Sequence, residues 1–180
     1  MDTKIIYFVH GTTTDNAAKL CSGWKEAMLN DLGKEQALNL GNVSKDRGDK
    51  FDVVITSDLQ RAIDSSNIAF SEYEKIRDSR LRECNYGDLD GEHKSLVIYE
   101  DHVEEKFPNG ESLLDVEKRM REFVLFLKEN YDGKTVGIVA HRAPQLALEV
   151  ITKGISFEEA NKTDWRKTGD WQPGWEYIVE

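Results

Sequence analysis

Three short runs of β-branched and aromatic residues stand out along the chain: Ile5 to Val9, Phe51 to Thr56 and Thr135 to Ala140. Each is nearly continuous in apolar residues rather than alternating, the pattern of a strand covered on both faces. A shorter run, Tyr177 to Val179, reads as an edge strand near the C-terminus. Between the runs the apolar spacing becomes helical. Leu113, Val116, Met120, Phe123 and Leu127 recur at intervals of three and four, which predicts a helix over 112–130 with one buried stripe. Asp115 with Arg119, and Glu117 with Arg121, are spaced as ion pairs on its wet side. Leu59, Ala62, Ile63, Ala69 and Phe70 predict a helix over 58–70, capped by Ser57 or Asp58. Leu32 to Val43 is rich in helix formers, and Pro144 fits the first turn of a helix that continues through Ala147 and Ile151. Strands alternating with helices imply an α/β fold, a three-layer α/β/α sandwich around a mainly parallel sheet.

Composition narrows the class without altering that picture. A chain of 180 residues is the size of one domain, and area scaling gives it a folded surface of roughly 8,900 Å². No Pro/Gly/Ser-rich linker and no repeat divides it, so residues 1–180 are expected to form a single domain, with a Trp-rich tail over 163–180. A net charge of −10 repels phosphate backbones and anionic membrane surfaces, which argues against a nucleic-acid or membrane partner. No apolar run has the length of a membrane span or of a signal segment. Cys21 and Cys84 form no Cys-x-x-Cys pair, so a reduced, cytoplasmic protein is expected. Residues 78–108 form a polar, irregular excursion, and a stretch of that length inside a compact domain is usually functional.

Ligands of open α/β sheets bind beyond the carboxyl ends of the strands. After the first strand come His10-Gly11-Thr12-Thr13, after the second Ser57-Asp58-Leu59-Gln60-Arg61-Ala62, and after the third His141-Arg142. Two of the four histidines and one arginine therefore converge on one rim, whereas His93 and His102 lie in the polar excursion and read as peripheral. There is no Gly-x-x-x-x-Gly-Lys-Ser/Thr loop, no Gly-x-Gly-x-x-Gly after the first strand and no Gly-x-Ser-x-Gly elbow. His10, His141 and Glu83 have the donor types for zinc, but their spacing matches no standard zinc motif.

In order and spacing, the turn carrying His10, the Ser57–Ala62 turn carrying Arg61, Leu81-Arg82-Glu83 followed by Gly87 and Gly91, Gly110-Glu111-Ser112, and the Val139–Arg142 turn carrying His141 resemble the histidine phosphatase superfamily, phosphoglycerate mutase-like branch. The likeness runs from about Lys4 to Ile151. It implies a two-step phosphoryl transfer with no cofactor and no metal. His10 would attack phosphorus as a neutral imidazole. Arg61 and His141 would hold the equatorial oxygens. Glu83 would protonate the leaving oxygen and then take a proton from water. Gly11, Thr13, Asn16, Ser22 and Gly23 fall where family members touch phosphate or substrate, although a capping turn is an equally ordinary use for them. Members also carry an arginine immediately before the nucleophilic histidine, and here that residue is Val9. Arg142, beside His141, is the candidate to compensate.

The resemblance implies a small phosphorylated substrate, and the short chain favours hydrolysis over phosphoryl return to substrate. The expectation is therefore a phosphomonoesterase, weakened by Val9. Two alternatives stay open: a degenerate domain that binds a phosphate ligand or a partner without turnover, and a phosphoglycerate mutase-type transfer. The tail, with Trp165, Trp171 and Trp175, is expected to pack back on the domain or to form a dimer contact, so a monomer and a homodimer both remain open.

Overall fold

A computed structural model describes all 180 residues. In chain order the elements are β1 (Thr3–Val9), a single turn α1 (Thr14–Ala17), α2 (Asp31–Arg47), β2 (Val53–Thr56), α3 (Gln60–Ala69) and β3 (Lys75–Arg77), then four short 3₁₀ turns between Ser79 and His102. After these come α4 (Leu113–Asn130), β4 (Thr135–Ala140), α5 (Arg142–Lys153), the short α6 (Phe157–Lys162) and α7 (Trp165–Thr168), and β5 (Trp175–Val179). The strands make one sheet in the order β3-β2-β4-β1-β5, parallel except for β5.

Alternation along the central strands sends side chains to two cores, which is why their sequences show no polar face. Ile5, Tyr7, Ile55 and Ile138 point into the larger core, with Val116, Met120, Phe123 and Leu127 of α4 and Ala143, Leu146 and Ala147 of α5. Ile6, Phe8, Val54 and Val139 point the other way, against Leu40 of α2 and Ala69 and Phe70 at the end of α3. The sandwich is the one expected, and its exposed surface of 8945 Å² matches the area expected for a chain of this size.

Local departures have local causes. The α4 stripe is buried as the spacing predicts, and Ser112 caps the helix with Asp115 returning the bond. The Glu117–Arg121 pair forms, but the expected Asp115–Arg119 pair does not. Asp115 binds the Ser112 N–H and Lys106, while Arg119, flanking the buried stripe beside Val116 and Met120, turns to Glu111. Helix α3 starts later than the pattern suggested: Leu59 is its N-cap, without a side-chain bond, so neither Ser57 nor Asp58 fills that place. Strand β3 is not legible in sequence because it is three residues long, has one apolar residue, and sits at the sheet edge. The tail packs back: Trp165 stacks on Trp175 with ring centroids 5.3 Å apart, and Trp175 pairs with Tyr7 of β1. No helix is long and apolar enough to cross a membrane.

The α4 stripe and its wet side should respond differently to truncation. Met120→Ala, at a fully buried position, should cost about 2–5 kcal/mol. Leu125→Ala, at a position 58% exposed on the same helix, should stay within about 0.5 kcal/mol of the parent. Urea unfolding of both variants checks the assignment, and equal losses would be inconsistent with it.

Candidate active site

The site is assembled by strand register. Val9 lies opposite Ala140, and Thr56 opposite Val139, so His10, Ser57 and His141 leave the sheet at nearly one level. The His10 N–H still donates to the Ala140 carbonyl, and the Ser57 N–H to Val139. The two imidazole rings lie beside each other, tilted by 58°, with centroids 5.0 Å apart. Nδ1 of His10 lies 2.7 Å from the Gly11 carbonyl. Because a carbonyl only accepts, Nδ1 carries the proton and Nε2 keeps its lone pair.

His141 is fully buried, with Nε2 2.9 Å from the Ser57 hydroxyl. The Ser57 oxygen accepts the Leu59 N–H, and its O–H has no acceptor in reach but Nε2, so the hydroxyl donates to Nε2 and the ring proton sits on Nδ1. That Nδ1 has no partner, and an unsatisfied buried donor costs about 1–3 kcal/mol. Loss of hydration, and secondarily the Arg61 charge, pull His10 down to about 3 and His141 well below its usual value. Both rings are therefore neutral near pH 7.

Arg61, in the first turn of α3, is almost wholly buried. It donates to the carbonyls of Ser22 (2.8 Å), Gly23 (2.7 Å) and Lys25 (3.1 Å). Glu83 comes from the irregular excursion, and its carboxylate takes three backbone N–H groups: Cys84 and Ala143 on Oε1, both at 2.9 Å, and Arg142 on Oε2 at 3.1 Å. Two of these are the free N–H groups opening α5, where the helix dipole favours negative charge. Behind it, Arg119 donates to the carbonyls of Arg80, Arg82 and Glu83 and pairs with Glu111. One guanidinium thus pins the segment that presents Glu83.

The remaining expected residues divide. Gly11 packs so closely on α2 that a Cβ there would stand 2.2 Å from the Gly33 oxygen, and its N–H donates to Ser65. Thr13 and Asn16 cap α1 reciprocally, as the plainer reading had it. Ser22 donates to Asp15, and Gly23 lies against the Cys84 carbonyl with its N–H on Asp90. Arg142 does not serve as the compensating cation. Its guanidinium is held by Asp164 (2.7 Å) and Asn161 (3.0 Å) over the Tyr99 ring, and only its backbone N–H serves the site, through Glu83. Val9 packs against the larger core and, with His10, Ser65, Trp165 and Trp171, lines a cavity of about 350 Å³. His93 is exposed and bonded to Ser95, and His102 stacks on Phe107 away from the rim.

Three contributors escaped the sequence reading: Ser57, Arg119 and the tail around Trp165. Ser57 follows a strand end, so the rule that found both histidines also reaches it. Arg119 borders the apolar stripe, where a cation can turn inward. For the tail no local signal exists, since its place depends on β5 pairing antiparallel to β1.

Chemically, the rim offers a free imidazole lone pair, an unpartnered N–H donor, a buried guanidinium and a held carboxylate. A model of the histidine phosphatase superfamily (branch 1) matches residues 6–170. The 2,3-bisphosphoglycerate-dependent phosphoglycerate mutase of Bartonella tribocorum is 32% identical over 176 residues, which cover 88% of this chain and 85% of that protein. Among solved structures, the α-ribazole phosphatase of Shigella flexneri has a TM-score of 0.77 at 26% identity, covering 88% of this chain and 84% of the other. The mycobacterial glucosyl-3-phosphoglycerate phosphatase complexed with VO3 has a TM-score of 0.75 at 25% identity, covering 88% and 86%.

The two neutral histidines, His141 buried and His10 half-buried, fix a pH dependence of stability. Folding lowers both values, so between about 3 and 6.5 the unfolded chain binds the extra proton and stability falls as pH falls. From pH 7.5 to 5.0 His10 alone should contribute a loss of roughly 2 kcal/mol. Urea midpoints at the two pH values should show His10→Asn losing less stability than the parent. An equal loss would mean that His10 is already protonated in the fold at pH 5.

Proposed function

The chain belongs to the histidine phosphatase superfamily, and on that premise we propose that it hydrolyses a small phosphomonoester through a phosphohistidine on Nε2 of His10. One observation carries this reading: the Gly11 carbonyl holds the proton on Nδ1, leaving a neutral, unencumbered Nε2 opposite the free Nδ1–H of His141. In the first step the Nε2 lone pair forms the P–N bond as the P–O bond to the leaving group breaks. Glu83 takes up the proton that the phosphomonoester monoanion brings and delivers it to the departing oxygen from Oε2, the carboxyl oxygen holding only one N–H. In the second step water attacks phosphorus, the P–N bond breaks, and Glu83 recovers the proton.

Charge spreads over the equatorial oxygens of the loose transition state. Of the five N–H groups of Arg61 three are engaged by carbonyls, which leaves two for phosphate. His141 Nδ1–H supplies another donor. Thr13 and Asn16 each retain a donor after capping, the hydroxyl and the side-chain amide, and Gly11, Ser22 and Gly23 shape the loops around them. Neither step calls for a metal or an organic cofactor.

A mutase reading is supported by relatives named as mutases, among them that of Bartonella tribocorum, covered over 85% of its length. Chain length therefore separates the two reactions only slightly. Hydrolysis is favoured by the half-buried His10 beside an open cavity, since water that reaches phosphorus competes with return to substrate. With 3-phosphoglycerate and catalytic 2,3-bisphosphoglycerate, a hydrolase releases inorganic phosphate, whereas a mutase forms 2-phosphoglycerate without net release.

Rapid quenching with a labelled phosphomonoester should trap acid-labile label on His10, absent from His10→Ala, with turnover unaffected by EDTA. Label on another residue, or none during steady turnover, contradicts the mechanism. Glu83→Gln should slow an alkyl phosphate by roughly 10²–10⁴-fold and p-nitrophenyl phosphate much less, because a good leaving group needs little acid assistance. Equal losses with phosphorylation rate-limiting would remove Glu83 from that role.

A further inference from the structure

We propose that Arg166, brought in by the C-terminal segment, is the phosphate-binding cation that Val9 does not supply. The inference rests on the phosphatase reading of the site and assigns that reading one further residue.

Sheet topology brings the segment to the rim. β5 runs antiparallel to β1 with Trp175 opposite Tyr7, so the residues before Trp175 lie beyond the carboxyl end of β1, where Val9 and His10 stand. Trp165 and Trp171 line the same cavity as Val9 and His10. The Arg166 guanidinium carbon stands 4.3 Å over the Trp165 ring. Its other neighbour is Gln145, one helical turn beyond His141 on α5, reached at 3.4 Å by Nη1 and Nη2. Val9 packs against the same larger core that receives α5 and Trp175.

Charge balance indicates which arginine is free to act. The buried Asp164 takes Arg142 at 2.7 Å on one oxygen and Arg166 at 2.9 Å on the other. Two guanidinium groups on one carboxylate leave one positive charge in the cluster. Lys167 does not alter this, being paired with Glu100. Arg142 is further fixed by a 3.0 Å bond to Asn161 and by the Tyr99 ring, whereas beyond Asp164 Arg166 has the Trp165 ring and only long, 3.4 Å contacts to Gln145. The surplus charge therefore belongs to Arg166, which stacks on Trp165, a residue of the cavity wall. Consistent with that placement, the Arg166 charge helps hold both His10 and His141 in their neutral forms.

The test is a cycle between positions 9 and 166, read by vanadate affinity and by kcat/KM. Arg166→Gln, and Arg166→Met, which keeps an apolar stem against Trp165, should each weaken vanadate binding and lower kcat/KM roughly ten- to a hundredfold, the worth of one charge-assisted hydrogen bond. Lys167→Gln should change neither. Val9→Arg should recover most of the loss in the Arg166→Gln background and add little to the parent, a rescue that a purely structural role for Arg166 would not produce. If both neutral variants fail to fold, Arg166→Lys, which keeps the charge, should hold vanadate affinity within a few-fold.

Unchanged vanadate affinity in folded Arg166→Gln and Arg166→Met would overturn the inference. So would a Val9→Arg gain of equal size with and without Arg166, or full loss of affinity in folded Arg166→Lys. Labelling of His10 in the parent separates the two claims. Label present with Arg166 dispensable defeats this inference alone. Absence of label defeats the phosphatase reading, and vanadate affinity then still decides whether Arg166 serves the anion site.

Discussion

The register that sets Val9 against Ala140 and Thr56 against Val139 brings three strands to an end at one level, and the site depends on it. A slip of one residue in a strand sends every side chain to the opposite face. It would carry Phe8 and Val139 out of the smaller core and rotate His10 or His141 away from the other. The register is itself enforced from both sides, because both faces of β1, β2 and β4 are buried. Core packing and the 5.0 Å approach of the imidazoles are thus consequences of one alignment.

A second constraint brings Glu83 to that alignment from a segment without regular structure. Arg119 gathers the carbonyls of Arg80, Arg82 and Glu83, and the opening N–H groups of α5 receive the carboxylate. α4 therefore holds the backbone of the excursion while α5 holds its side chain. The same helix start carries His141 as its N-cap residue, so the Glu83 carboxylate and the His141 ring are fixed relative to each other through one turn of backbone.

What could be read from sequence was what repeats or terminates. Continuous apolar runs gave β1, β2 and β4, the three-four spacing gave α4, and strand ends gave His10, His141 and, through the turn after β2, Arg61. What could not be read depends on contacts between distant residues. Arg119 has the spacing of an ion-pair partner for Asp115, yet Glu111 and three carbonyls compete for it and prevail. Arg142 stands next to His141 in sequence but turns toward Asp164 and Asn161, residues placed by the two short helices after α5. Arg166 carries no motif, and the pairing of β5 with β1 gives it its place. Adjacency along the chain pointed to one arginine, whereas the fold stacks another on Trp165, which lines the cavity.

We propose the His10 Nε2 lone pair as the nucleophile, within a rim built for a five-coordinate phosphorus. A crystal structure of the vanadate complex tests this most directly. The account predicts vanadium bonded to Nε2 of His10 in trigonal-bipyramidal geometry, with equatorial oxygens within hydrogen-bond distance of the Arg61 guanidinium and His141 Nδ1, and Glu83 beside the apical oxygen opposite His10. Vanadate bound elsewhere, or held in the pocket with His141 Nδ1 still unpartnered and Nε2 of His10 out of bonding range, would contradict it.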